Sequence, residues 1–351
     1  MRYCILNIYM NQPRLATEEE KAQWTALITK NPDGGDFLQM RQFGEVKALS
    51  GWKPLHIIVD TMPLLVLERY VVGLGNLWYV QKAPSSVSLS LLTGLRTLAK
   101  QHGAFVIKLE PPLLKSESEQ TRLIQLGLRP AGSAQPTYST IWLDISANEE
   151  EILSGFSAKT RYDIRKAKAA QVTCKEVSAT DENCQAFYDL FTETADGRFG
   201  IRPFTYYKTF WQSYSESGNG RLYFAYHNDT LISATFVMIL GARASRKDAA
   251  SQRKKTVRGA AALLEYEIIR SLKEADITAY DLCGAPPSWE AKNQHHHLYG
   301  VGKFKSEFSE TITDYVGAYE LPISELKTRL WSQFIERLIQ RYFRARGKSF
   351  Y

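Results

Sequence analysis

A chain of 351 residues is longer than one ordinary hydrophobic core organises, so two domains are expected. Its 44% hydrophobic and 12% aromatic content is that of a globular protein, and a net charge of +7 favours anionic partners such as nucleic acid, nucleotide or a membrane surface. Cys4, Cys174, Cys184 and Cys283 are scattered without a C-x-x-C pair, which excludes a disulfide framework or zinc knuckle and points to a reducing cytosol.

The first residues, MRYCILNIYMNQP, carry no cleavage signal, and no run approaches the ~18 apolar residues of a membrane span. The richest stretch, 55–80, is interrupted by Asp60, Pro63, Glu68 and Arg69. Thr17 followed by Glu18, Glu19 and Glu20 predicts a capped helix over 17–30. After a breaker at 31–36, helical spacing resumes over 37–52, where Lys47 falls on a different face from Phe43 and Val46. That lysine reads either as a surface residue or as an anion contact at a domain cleft. Strands are expected at 55–59, 64–72, 77–80 and 104–109, with an amphipathic helix at 88–102. Glu110 ends the last of these strands before two prolines, where a general base often sits, although most such residues are plain strand ends. A short helix at 119–126 and a strand at 140–145 close a first α/β domain near residue 145.

One helix is expected over 149–170, with an acidic start and a basic end. Arg161, Arg165 and Lys168 share a face, which reads as a solvated surface or as an RNA-phosphate contact. A strand at 172–177 and a helix at 181–195 follow. Next come a loop holding Arg202 ahead of Pro203, and an aromatic helix at 204–217 with Tyr206, Tyr207 and Trp211. The Arg202 fork suits a diphosphate. A hairpin spans 221–241, and the polar, basic stretch 242–255 reads as a mobile loop. Val257, Ala261, Leu264, Ile268 and Leu272 mark the clearest helix, over 257–275. Adjacent His295, His296 and His297 lack further ligand-type neighbours, so no metal site is assigned.

Gly300 and Gly302 then lead into Lys303, Phe304 and Lys305, read as a glycine turn before a strand at 311–319. Glycines allow close approach to a bulky ligand, and such a lysine can meet a phosphate or a developing oxyanion. Over 323–342, Leu326, Leu330, Phe334 and Leu338 recur every four residues and predict a helix packing back on the first domain. The tail, with Arg341, Arg344, Arg346 and Lys348, has the charge to touch RNA or anionic lipid.

Four segments carry a family resemblance: FLQMRQFGEVK, FSAKTRYDIRKAKAAQV, AYDLCGAPP, and YGVGKFKSEFS with VGAYELP. Together they resemble the Fem family of peptidoglycan peptidyltransferases, of the type lacking a coiled-coil arm. The resemblance implies an α/β (α+β) fold of two GNAT-like domains, each a mixed sheet flanked by helices. Their expected extents are 1–145 plus 315–351, on the precursor side, and 146–314, on the aminoacyl-tRNA side. It implies a cytoplasmic, monomeric aminoacyltransferase of cell-wall biogenesis without metal or cofactor, and the charge of the basic tail adds an expected peripheral contact at the inner membrane face. Its partners would be aminoacyl-tRNA and UDP-MurNAc-pentapeptide or lipid II. Lys47 and Arg202 would clamp the precursor's phosphates, with Tyr206 or Tyr207 beside them. Phe304 and Lys305 would meet the reacting ester, Glu110 would act as base, and Arg161, Arg165, Lys168 and Lys303 would contact tRNA. One departure is plain: Arg246 stands where the family often has tyrosine.

An aminoacyl ester is already activated, so attack by an amine needs neither metal nor covalent enzyme intermediate. Orientation is worth roughly 7–11 kcal/mol, and one oxyanion donor about 3–4 kcal/mol. Glu110, the substrate's own phosphate or water would take the ammonium proton. Two rivals stand beside this reading. A coenzyme-A N-acyltransferase requires a Q/R-x-x-G-x-G/A turn, and the nearest match, Thr256-x-x-Gly259-x-Ala261, lacks the leading residue. A non-catalytic RNA-binding protein would need only the basic helix.

Overall fold

The computed structural model describes residues 13–197, 199–254 and 257–351, so Cys4, the reading of the first residues as leaderless and Thr256 lie outside it. Residues 13–136 join Tyr315–Tyr351 in one unit, and Thr137–Asp314 form another.

In the first unit, β1 (Arg14–Leu15) precedes α1 (Glu18–Ala22), which opens on a reciprocal cap between Thr17 and Glu20. The helix expected over 17–30 breaks at Gln23 and resumes as α2 (Trp24–Ile28); α3 (Arg41–Ala48) follows. The strands β2 (Lys53–Val59), β3 (Met62–Val71) and β4 (Gly75–Val80) form an antiparallel meander. Helix α4 (Leu89–Gln101), capped by Ser88, then crosses to β5 (Ala104–Leu109), which runs parallel to β4. Such a pair needs a crossover of this length. α5 (Glu117–Gln125) and β6 (Arg129–Pro130) precede the passage into the second unit.

There the chain forms β7 (Ser139–Asp144), α6 (Glu149–Gly155), α7 (Ala158–Ala169), β8 (Thr173–Val177), α8 (Asp181–Ala195) and α9 (Phe204–Glu216). The single helix expected over 149–170 is two, because Phe156 is extended and Ser157 caps α7 through Thr160 N. β9 (Gly220–His227), β10 (Thr230–Leu240) and β11 (Arg243–Ser251) form a second antiparallel meander. The stretch expected to be a mobile loop is thus an interior strand. α10 (Ala260–Glu274) crosses to β12 (Ala279–Asp281), parallel to β11; α11 (Tyr299–Ser306) and β13 (Ile312–Asp314) complete the unit.

Opposite faces of this sheet carry different cores, as strand alternation requires. Tyr223, Ala225 and Val237 pack with Ile164, Leu264 and Ile268 of α7 and α10. Phe224 and Phe236 meet Phe187 and Trp211 of α8 and α9.

The chain then returns to the first unit as β14 (Tyr319–Pro322), α12 (Glu325–Leu330), a π turn at Trp331–Ile335, and α13 (Glu336–Arg344). The strand orders are β1-β2-β3-β4-β5-β14-β6 and β13-β7-β12-β11-β10-β9-β8. β7 sits between β12 and β13, and β14 between β5 and β6, so each sheet is completed by a strand reached after the chain changes unit. Two sequence expectations fall here. The strand at 140–145, expected to close the first domain, belongs to the second sheet. The strand expected over 311–319 is divided into β13 and β14, one in each sheet. Leu326, Leu330, Phe334 and Leu338 do not pack inward as expected; all are exposed, and Thr328, Trp331 and Glu336 are buried instead. Among the described residues no helix is long and apolar enough to cross a membrane.

Candidate active site

The site grows from β11, RASRKDAAS, a polar strand in the sheet interior. Phe236 of β10 faces Asp248, and Val237 faces Arg246, so Lys247 is an extra residue. A bulge of this kind re-aims its neighbours. β11 and β12 share only three register pairs, Arg243–Ala279 to Ser245–Asp281, before β11 continues paired with β10 only. A cavity of about 470 Å³ opens where they part, lined by Arg246, Ala249, Ser251, the first turn of α10, Val301 and Phe304. The start of α10 adds N–H groups without intrahelical partners. Gly259 at φ +85° is required there, because a Cβ would stand 2.0 Å from Asp163 O.

Helix α11 places the lysine. A Cβ on Gly302 would stand 2.3 Å from Pro286 Cδ, so glycine allows the helix to approach the segment after β12. Gly300 and Gly302 are therefore helical rather than the turn expected from sequence. Lys305, only 5% exposed, donates from Nζ to Gly284 O at 2.8 Å and to Cys283 O. Burial, then repulsion from Arg246, lowers its pKa to about 8. It thus remains mostly an ammonium at neutral pH. The neighbouring Cys283 thiol is pushed up to about 12 by burial, which argues against a thiolate nucleophile.

Arg246 lies 5.7 Å from the Phe304 ring and donates to Glu265 Oε2 at 2.8 Å. Glu265 is buried and accepts from Tyr280 Oη at 2.5 Å. Arg246 is thus fixed beside Phe304. Neither Glu265 nor Tyr280 was singled out from sequence; a lone carboxylate inside the apolar pattern of α10 was the available signal.

A second cluster in this unit joins Arg202, Tyr206 and Tyr207. The Arg202 guanidinium lies 4.6 Å over the Tyr206 ring, whereas Tyr207 packs on Phe191 and Trp211. Burial pushes the Tyr207 hydroxyl up to about 12. Lys247 and Asp248 of the bulge pair at 3.2 Å, and Trp211 Nε1 donates to Asp248 at 3.0 Å.

In the first unit, Lys47 is buried with Nζ 5.3 Å from the Phe43 ring. That corrects both its expected separate face and the surface reading. Glu110 is also buried and accepts from Tyr79 Oη at 2.6 Å; Gln135 Nε2 donates to the same hydroxyl at 2.8 Å. Of the expected tRNA residues, Arg165, Lys168 and Lys303 are exposed and Arg161 is half-buried. Arg161 Nη1 donates to Ser154 O at 2.8 Å, and Lys168 pairs with Glu267 at 3.3 Å. Among the described residues no group of His, Cys, Asp and Glu is arranged to hold a metal.

Residues 154–292 match the family model described as an acetyltransferase (GNAT) domain. Over 228 residues the chain is 25% identical to the lipid II:glycine glycyltransferase of Staphylococcus aureus (strain MRSA252), covering 56% of this chain and 52% of that protein. The chain spans about half the length of the curated relatives it matches. The crystal structure of FemX superposes with a TM-score of 0.76 at 18% identity, over 92% of this chain and 100% of that one. The structure of L-PGS from Bacillus licheniformis superposes at 0.53 with 14% identity, over 82% and 89%. These structural likenesses establish the fold of mixed sheets flanked by helices.

Proposed function

We propose that the chain is a member of the Fem family and that it transfers an amino acid from aminoacyl-tRNA to the stem-peptide amine of a peptidoglycan precursor. The observation that carries this reading is the buried Lys305 ammonium, held by two backbone carbonyls on the helix whose Phe304 lines the cavity together with Arg246. The aminoacyl ester enters that cavity. The acceptor amine forms the new C–N bond, the ester C–O bond breaks, and the ribose hydroxyl leaves with a proton. Lys305 donates to the oxyanion formed between these events. Arg246 and the start of α10 present positive charge to the phosphates of the tRNA end.

Arg202 over Tyr206 contacts the precursor's diphosphate. The acceptor is lipid II or its soluble UDP-linked precursor. Support for the lipid-linked form comes from the name of the curated relative, a lipid II:glycine glycyltransferase. The test is an assay of the purified chain with several charged tRNAs against soluble and lipid-linked acceptors. Product is expected with at least one pairing, and its absence from all would sink the assignment. The GNAT match also favours a second reading, N-acyl transfer from coenzyme A into the same cavity. Acetyl-CoA binding by calorimetry, without competition from charged tRNA, would select it.

A further inference from the structure

The C-terminal helix carries an apolar face that the fold leaves open. Leu326, Leu330, Phe334, Leu338 and Tyr342 are 42–70% exposed. The opposite face is fixed to the first unit: Thr328 Oγ1 donates to Phe105 O at 2.9 Å, Trp331 packs edge-on to Phe105, and Glu336 pairs with Lys108. In an α-helix each four-residue step advances by about 40°, so such a row should wind around the axis. The π turn at Trp331–Ile335 takes up an extra residue and brings the row back toward one line.

Charge tells what this face fits. Residues 325–351 hold seven basic and two acidic side chains. Both acids are engaged, Glu325 with Arg129 at 2.7 Å and Glu336 in its buried pair. Arg337, Arg341 and Arg344 are exposed along the row. Phe350 and Tyr351 are buried against Trp52 rather than extending the basic tail outward. RNA would reward the arginines but not the large apolar side chains between them. A second copy would bury the stripe while setting arginine rows of like charge close together.

We propose that this helix seats the protein on an anionic membrane surface, with the stripe among the acyl chains and the arginines at the headgroups. The inference needs no transfer chemistry, so it stands or falls apart from the proposed function.

The test is flotation of the full chain with phosphatidylcholine vesicles, plain or containing about one-third phosphatidylglycerol. Binding is expected with the anionic vesicles and at least about ten-fold weaker with the plain ones. Phe334→Asp with Leu338→Asp, and separately Arg337→Gln with Arg341→Gln and Arg344→Gln, should each lower it by about ten-fold or more. The substituted side chains are exposed, so circular dichroism and melting should match the parent. Equal binding to both vesicles, or parent-like binding by the aspartate variant, overturns the proposal. So does a parent that floats with neither but sediments as a dimer the aspartates dissociate, or an arginine variant that loses only tRNA affinity. Salt titration of the unmodified chain needs no variant: flotation must weaken as salt rises, and indifference to salt refutes the idea.

Discussion

The two sheets pair their strands in the same succession of senses, yet they differ at the parallel step. In the first unit, β4 and β5 stay paired, past one irregularity at Asn76–Leu77, to Val80 and Leu109, and Glu110 N continues the pairing to Val80 O. In the second, β11 and β12 part after three pairs and leave a cavity. The cause is visible in the strands. Leu77, Trp78, Tyr79 and Val80 of β4 are buried, so closure is favoured by apolar contact. β11 carries Arg246, Lys247 and Asp248, which must be paired and which bulge the strand. One topology thus supports a closed step and an open one, and the proposed chemistry is assigned to the open one.

Two buried lysines sharpen the contrast. Lys305 is held by carbonyls in the open step, whereas Lys108 pairs with Glu336 in the first unit. Lys305→Met should lower transfer by about 10²- to 10³-fold, measured in single turnover, with precursor binding intact. It should not lower the melting temperature. Its folded pKa of about 8 lies below the free value of 10.5, so between them the unfolded chain holds a proton the folded one lacks. Folding stability therefore rises with pH through that window, by up to about 3 kcal/mol, and is penalised below it. Transfer that depends on the ammonium falls over the same rise. Lys108→Met should do the reverse: cost about 3–5 kcal/mol in denaturant unfolding by stranding Glu336, and leave the chemical step of the folded fraction unchanged. Loss of melting temperature in the Lys305 variant would erase the distinction.

A smaller effect tests how the open step is framed. Gly302→Ala must push α11 away from Pro286 and should destabilise by about 1–3 kcal/mol. Because Lys305 lies on the same helix, transfer should fall further than the folded fraction does. A proportional loss in both measurements would mean that Gly302 serves packing alone.

Where local pattern and global environment agree, the elements were readable: the capped start at Thr17, the apolar strands around 55–109 and the stripe of α10 form as expected. The failures cluster at the site and at the open surface. β11 read as a loop because its charges are satisfied by Glu265 and Trp211, distant in sequence. α11 read as a turn because two glycines weaken a helix that tertiary contact with Pro286 requires. The row from Leu326 to Leu338 read as core because periodicity reports an apolar face, not what covers it. Phe304 and Lys305 were proposed from the glycine-led lysine segment and from resemblance; the burial of Lys305 and the placing of half-buried Phe304 beside Arg246 were not visible in sequence.

The closed step allows one last discrimination. Glu110 was expected as a base, but it is buried and held by Tyr79 Oη at 2.6 Å, at the end of the strand pairing. Glu110→Gln preserves an oxygen for that hydroxyl while removing the charge. If Glu110 only secures the end of β5, the variant should lose about 1 kcal/mol of stability, the difference between a charged and a neutral acceptor. Its transfer rate and pH profile should then stay within about two-fold of the parent, since no proton passes through it. We expect this outcome, because the closed step offers the carboxylate a fixed structural donor. A fall of about 10²-fold in the chemical step, with precursor binding unchanged, would instead place a base in the closed unit. The division of labour between the two sheets would then be wrong.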